Sequence, residues 1–338
     1  MPSSKVKDIG VEAFLEENLL TKTVKPLLWA TLLPLAFQRG WRNYQEQVPT
    51  ASRNLEMGLD LFLRAWKHPS RIASVIKAHL KMAKSYSSAQ KEIKNEKSSL
   101  VYTHLDHQIP FRPEEDTLYV YMLVQMARFG KELADKYPKE EIKEVMNCFL
   151  NVSGATVEAF YKYPTTMPRF TDHQRITLSL VQKLDKPLNC CPSQHIAYSA
   201  LLYNISKTVL ELPARNEKLW HSILVASKKM IRPVLYTKQH TLVDVAFGLH
   251  SARKAFEESF NVQFDDLIQF FPEMQINSPD IPYDKIAQIY QRGSELFKPE
   301  SNLADIVGQY FREMNFPLVG PGENNAYFDM EKGEVVKL

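Results

Sequence analysis

The sequence predicts an all-α fold, a helical bundle, on three observations. Apolar residues recur at three- and four-residue spacing, as in Leu59, Phe62, Leu63 and Trp66 or Ile72, Val75, Ile76 and Leu80, which puts them on one helix face. Only 11 of the 338 residues are glycine, few for the turns of a sheet-based architecture. Short polar or proline-bearing connections, YPTTMPRFTD, DKPLNCCP, ELPARN and RPVLYTKQ, separate the helical patterns, as an antiparallel bundle requires.

Taken in order, the chain starts with MPSSKVKDIGVEAFLEENLL, whose acidic residues stand where a signal peptide has its apolar region; a cytoplasmic location is expected. The stretch PLLWATLLPLAF (26–37) is about a dozen residues long, whereas a bilayer span needs roughly 20. It reads as a buried helix, with no transmembrane span, and peripheral contact with a membrane stays open. The polar, lysine-rich SYSSAQKEIKNEKSS (85–99) reads as a frayed helix end and linker, closing an N-terminal helical region (1–100) of no assigned role. LVYTHLDHQIPFRPEED then reads as a loop, with Pro110 and Pro113 preventing regular helix and Asp116 or Thr117 capping the next one.

Six helical patterns follow, at 117–136, 138–162, 173–184, 193–212, 215–232 and 240–260, within a core at 101–262. The remainder, 263–338, holds a loop at 272–282, two short helices near 283–297 and 300–314, and a tail containing Gly, Pro and Asn. It is expected to pack on the core.

The net charge of +3 creates no global field for nucleic acid, so no nucleic-acid partner is expected. Cys148, Cys190 and Cys191 cannot build a disulfide framework and lack the spacing of a zinc site; they read as packing residues. His104 and His107 flank Asp106, but that spacing without helical context is a weak metal signal. No metal and no cofactor are expected.

Polar chemistry gathers at three connections: Lys162 and Arg169 in KYPTTMPR, Ser193 and His195 in PSQH, and His240 with Asp244 in KQHTLVDVAFG. Each has a plain structural explanation when taken alone. Together they offer what phosphoryl transfer through a phosphohistidine needs. Two cations match phosphate charge. Ser193 suits an N-cap at the positive end of a helix. His240 can attack phosphorus while Asp244, one turn on, accepts a hydrogen bond from its other ring nitrogen. His195 can serve as acid and then base.

These segments resemble the signature of the type 2 phosphatidic acid phosphatase superfamily, which also contains the vanadium haloperoxidases. That family reads Lys, six residues, Arg-Pro; then Pro-Ser-Gly-His; then Ser-Arg, five residues, His, three residues, Asp. Here Phe170 stands where the family often has proline, Gln194 replaces glycine, and Pro233 and Val234 replace Ser-Arg. The missing arginine makes the chain more similar to the inositol phosphorylceramide synthase-like branch, and Lys238 or Arg232 could supply that charge.

The resemblance implies a six-helix phosphatidic acid phosphatase-like core; relatives usually place these helices in a membrane, but Ser206, Lys207 and Glu211 in one helix and Lys218, Lys228 and Lys229 in the next point to a soluble or surface-docked bundle. Its catalytic residues would be His240, His195 and Asp244, with Lys162, Arg169, Ser193, Gln194 and Lys238 around the phosphate. The implied activity is that of a phosphatase or phosphotransferase on a phosphorylated lipid or prenyl alcohol. A helical protein that binds phospholipid or phosphate without turnover is the alternative, and a vanadate-dependent haloperoxidase a remoter one.

Overall fold

The structure, a computed structural model, describes residues 69–298 and 301–338. The apolar stretch at 26–37 and the pattern at 59–66 lie outside the described residues. The described part is mainly helical, with two small sheets that an all-α reading did not include.

Helix α1 (Pro69–Glu92) continues regularly through the first half of the 85–99 stretch expected to fray. The reason is that this part of α1 buries a polar face: Tyr86 donates to Asp185 Oδ1, and Gln90 Nε2 reaches the same oxygen at 2.9 Å. Strand β1 (Ser98–Leu100) follows. The expected loop then contains a short helix, α2 (His104–Gln108), which starts at a capping box between Thr103 and Asp106. Helices α3 (Asp116–Lys136) and α4 (Lys139–Lys162) follow close to their expected bounds.

Strand β2 (Thr165–Thr166) leads to α5 (Ile176–Leu184), which begins a few residues later than the apolar pattern suggested. Helix α6 (Gln194–Asn204) changes to a π-helical turn at Ile205–Val209 and ends before α7 (Leu212–Arg215). The next expected helix is divided into α8 (Glu217–Lys229) and α9 (Ile231–Tyr236). Pro233 lies within α9 and has no N–H to continue the ladder.

Helix α10 (Leu242–Phe260) is followed by α11 (Phe271–Asn277), α12 (Tyr283–Leu296) and α13 (Leu303–Glu313). Helix α11 takes up the first half of the expected 272–282 loop; Pro272 falls in its first turn, where a missing N–H costs nothing. Strand β3 (Leu318–Val319) and a hairpin of β4 (Ala326–Asp329) and β5 (Glu334–Lys337) complete the fold.

Helix α10 is the hub, packing against α4, α6 and α12. From Leu242 to Ala252 every residue is buried, so this helix is enclosed on all sides rather than along one stripe. Gly248 lets α6 come close: a Cβ there would meet the Ser193 carbonyl oxygen at 2.7 Å and Ile196 Cβ at 3.1 Å. Ser193 N–H also donates to the Asp244 carbonyl at 3.0 Å. The start of α6 is thereby fixed against the first turn of α10.

Two apolar clusters meet along α10. Leu242, Val245, Ala246 and Leu249 face the larger one, while Val243 and Phe247 face a second that includes Tyr102, Met167, Cys190, Cys191 and Phe328. Strand β1 pairs in parallel with β2 and antiparallel with β3, which ties three distant parts of the chain together. Beyond β3, Phe328 N–H donates to the Tyr102 carbonyl at 2.8 Å and Asn324 Nδ2 to the Met167 carbonyl at 2.7 Å. Among the described residues no helix is long and apolar enough to cross a membrane.

Candidate active site

Ser193 occupies the N-cap of α6, its hydroxyl accepting from Ile196 N–H at 3.4 Å. This geometry places His195 in the first turn. The connection before it is anchored through Thr165, whose Oγ1 accepts from Cys190 N–H at 2.9 Å and Cys191 N–H at 3.1 Å. Both thiols are buried, and that burial pushes their pKa values well above the usual range. The cysteines form a wall of the site.

His240 stands just before α10, where Thr241 and Asp244 form a second capping box. Asp244 Oδ2 accepts from Thr241 N–H at 2.8 Å and also lies 3.4 Å from His240 Nδ1. The carboxylate therefore starts the helix and orients the ring. His240 Nδ1 also meets the Cys190 carbonyl oxygen at 3.2 Å. Both groups facing Nδ1 are acceptors, so that nitrogen carries a proton and the lone pair of the neutral ring sits on Nε2.

That lone pair points at His195, whose Nδ1 is 3.3 Å from His240 Nε2. The hydrogen bond requires His195 Nδ1 to be the donor. Tyr119 Oη lies 3.2 Å from the same nitrogen. His195 is partly exposed, yet burial of its ring, followed by the nearby His240, pushes its pKa down to about 3, with Asp185 opposing. In this arrangement the ring is neutral at ordinary pH.

Arg169 extends into the same region. Its Nη1 donates to the Lys238 carbonyl at 3.2 Å and its Nη2 to the Asp185 carbonyl at 3.0 Å, whereas Nε is enclosed without a hydrogen-bond partner. Nearby in sequence to Cys190, Asn189 is also buried with both amide atoms unpaired. Arg169, Asp185 and His195 are partly exposed, while His240, Asp244 and Tyr119 are buried. A ligand would reach the histidines from the Arg169 and His195 side.

Three expected phosphate ligands have other roles. Lys162 ends α4 on the surface, paired with Glu158 at 2.8 Å and Asp305 at 3.6 Å; a glutamate one turn back captures its ammonium. Lys238 is buried, and its ammonium donates to the carbonyls of Asp106 and Ile109. Burial lowers its pKa to about 8 despite the charge of Asp106. Gln194 Nε2 donates to Thr156 Oγ1 at 2.7 Å, bracing α6 on α4. Arg232, the other candidate for the missing charge, pairs with Glu115.

Asp106 also serves structure, since its Oδ1 accepts from Leu242 N–H at 2.8 Å at the start of α10. Burial raises its pKa to about 6, against the hydrogen bonds it receives.

Sequence reasoning missed Tyr119, Asp185, Tyr86 and Gln90. Tyr119 lies in an amphipathic helix, where a tyrosine reads as core, and the polar face of α1 had no apolar stripe to mark it as buried. Asp185 carried the only usable sign, a carboxylate in the connection that leads to PSQH. The chain matches no family model, no curated protein and no solved structure.

Proposed function

We propose that the protein is a phosphatase or phosphotransferase acting on a phosphate ester of a lipid or prenyl alcohol through a phosphohistidine, on a six-helix core like that of the type 2 phosphatidic acid phosphatase superfamily. The observation that carries this reading is the His240 ring: its Nδ1 is held by Asp244 and the Cys190 carbonyl, and its Nε2 lone pair faces His195. A nucleophilic imidazole needs this orientation.

In the first half-reaction His240 Nε2 forms a bond to phosphorus as the bond to the leaving oxygen breaks. As the anionic phosphate binds beside it, His195 takes up a second proton on Nε2; the imidazolium then passes its Nδ1 proton to that oxygen, so an alcohol leaves and the ring is neutral again. In the second, water or another alcohol attacks phosphorus, the P–N bond breaks, and the attacking oxygen's proton returns to His195. The Arg169 Nε–H is the unspent donor for a phosphate oxygen. The two imidazoles touch directly, so His195 must swing away from His240 to admit phosphorus.

The experiment is phosphate release from dioctanoyl phosphatidic acid and farnesyl phosphate, with acid-quenched capture of the phosphoenzyme. His240→Ala is expected to lower turnover by about a thousandfold or more. Full activity in that variant would remove the assignment.

One observation favours the non-catalytic alternative. Lys162 and Lys238 are both engaged elsewhere, which leaves Arg169, of these three expected cations, beside the histidines. Saturable binding of a phospholipid head group without turnover of either substrate would support that reading. The same shortage of cations weakens the vanadate reading.

A further inference from the structure

We propose that Tyr119 is the positioning residue for His195: when phosphorus takes the place of His195 at His240 Nε2, the phenol oxygen accepts from His195 Nδ1–H until the leaving oxygen takes that proton, and then donates to the bare nitrogen. The proposal rests on the phosphohistidine reading above and assigns a role to residues outside its signature.

His195 Nδ1–H faces two acceptors at nearly equal range, His240 Nε2 at 3.3 Å and Tyr119 Oη at 3.2 Å. Their ring centroids lie 5.5 Å and 4.3 Å from that of His195. When phosphorus takes the first acceptor, the second is already within reach and the donor is not left unpaired. An unpaired buried donor is unfavourable. Once Nδ1 has given its proton to the leaving oxygen, the same hydroxyl can rotate and donate to the bare nitrogen. A phenol can play both parts, which phenylalanine cannot.

Tyr119 stays a neutral phenol through this cycle, because burial and then Asp185 push its pKa far above the usual value. It acts as a hydrogen-bond partner and not as a base. Asp185 is itself fixed by Tyr86 and Gln90 of α1, while its backbone carbonyl holds Arg169. The groups acting on His195 are therefore Tyr119 from α3, Asp185 beyond α5, and His240 with Asp244 behind it at α10. Arg169 and Cys190 act on Tyr119 in turn.

The test compares the full-length protein with Tyr119→Phe and Asp185→Asn by two readouts: imidazole nitrogen resonances of His195, and phosphate release from dioctanoyl phosphatidic acid across pH. Tyr119→Phe keeps the ring's volume; it is expected to displace the His195 Nδ1 resonance and lower kcat about tenfold, with KM within about twofold. Asp185→Asn retains the phenol and removes a charge that raises the His195 pKa, so the acidic limb of the pH profile moves down. A His195 resonance unmoved in Tyr119→Phe overturns the proposal, as does an unchanged kcat in an active enzyme. Inactivity of the wild type or activity of His240→Ala would sink the phosphohistidine reading instead, and the resonance still decides whether Tyr119 holds His195.

Discussion

Lys162 and Arg169 share a short sequence motif but lie in different physical settings. The first is an exposed cation in surface ion pairs, which solvent screens and which contribute little. The second uses two N–H groups on carbonyls and has a third to spare. Lys162→Ala is therefore expected to keep kcat/KM within about twofold, whereas Arg169→Lys loses at least about tenfold because an ammonium cannot span the same acceptors. Steady-state phosphate release measures both; equal losses would return Lys162 to the site. The contrast also shows what a sequence conveys at this scale. Ser193 as an N-cap and His240 with Asp244 one turn on were legible because their geometry is local. Spacing along the chain could not show that Glu158 would capture Lys162, or that Tyr119 would meet His195 across the fold.

The start of α6 is positioned by its contact with α10, and Gly248 is the residue that permits it. In Gly248→Ala the new methyl would press on the Ser193 carbonyl, which is backbone and cannot turn aside. The expected result is a loss of about 1–3 kcal/mol in urea unfolding and a fall in turnover, since displacement of α6 moves His195 from His240. A variant as stable and active as wild type would show that the contact can relax freely. At this scale the helix positions were largely legible from apolar periodicity. Exceptions have identifiable causes: a polar buried face prolongs α1, a capping box adds α2, and a proline in its first turn permits α11. The short strands were illegible because runs of two to four residues leave almost no periodic signal.

The whole molecule responds to acid through histidines buried in different places. Burial lowers the pKa of His195 to about 3 and of His250 to about 4, from an ordinary value of 6.5. The unfolded chain takes up these protons first, so the stability they contribute is present above about 6.5 and is lost as pH falls toward 4. Asp106 works the other way: its pKa is raised to about 6, so the folded state gains stability as pH falls through that value. Two histidines outweigh one carboxylate, and unfolding free energy should drop by on the order of a few kcal/mol between pH 7 and pH 4. Urea titrations at several pH values measure this, and a flat profile would contradict it.

The small sheet pairs Ser98 with Val319 and Ser99 with Thr165, so strands from three widely separated regions share one ladder. Its consequence concerns portability. The stretch 162–248 carries every signature residue, yet Tyr86, Tyr119 and Asp106 lie before it, and Phe328 and Asn324, which brace Tyr102 and Met167, lie after it. A graft of that stretch onto another helical scaffold would transfer the recognisable letters without the machinery that aims them. As a unit of engineering, the site is therefore much larger than its signature.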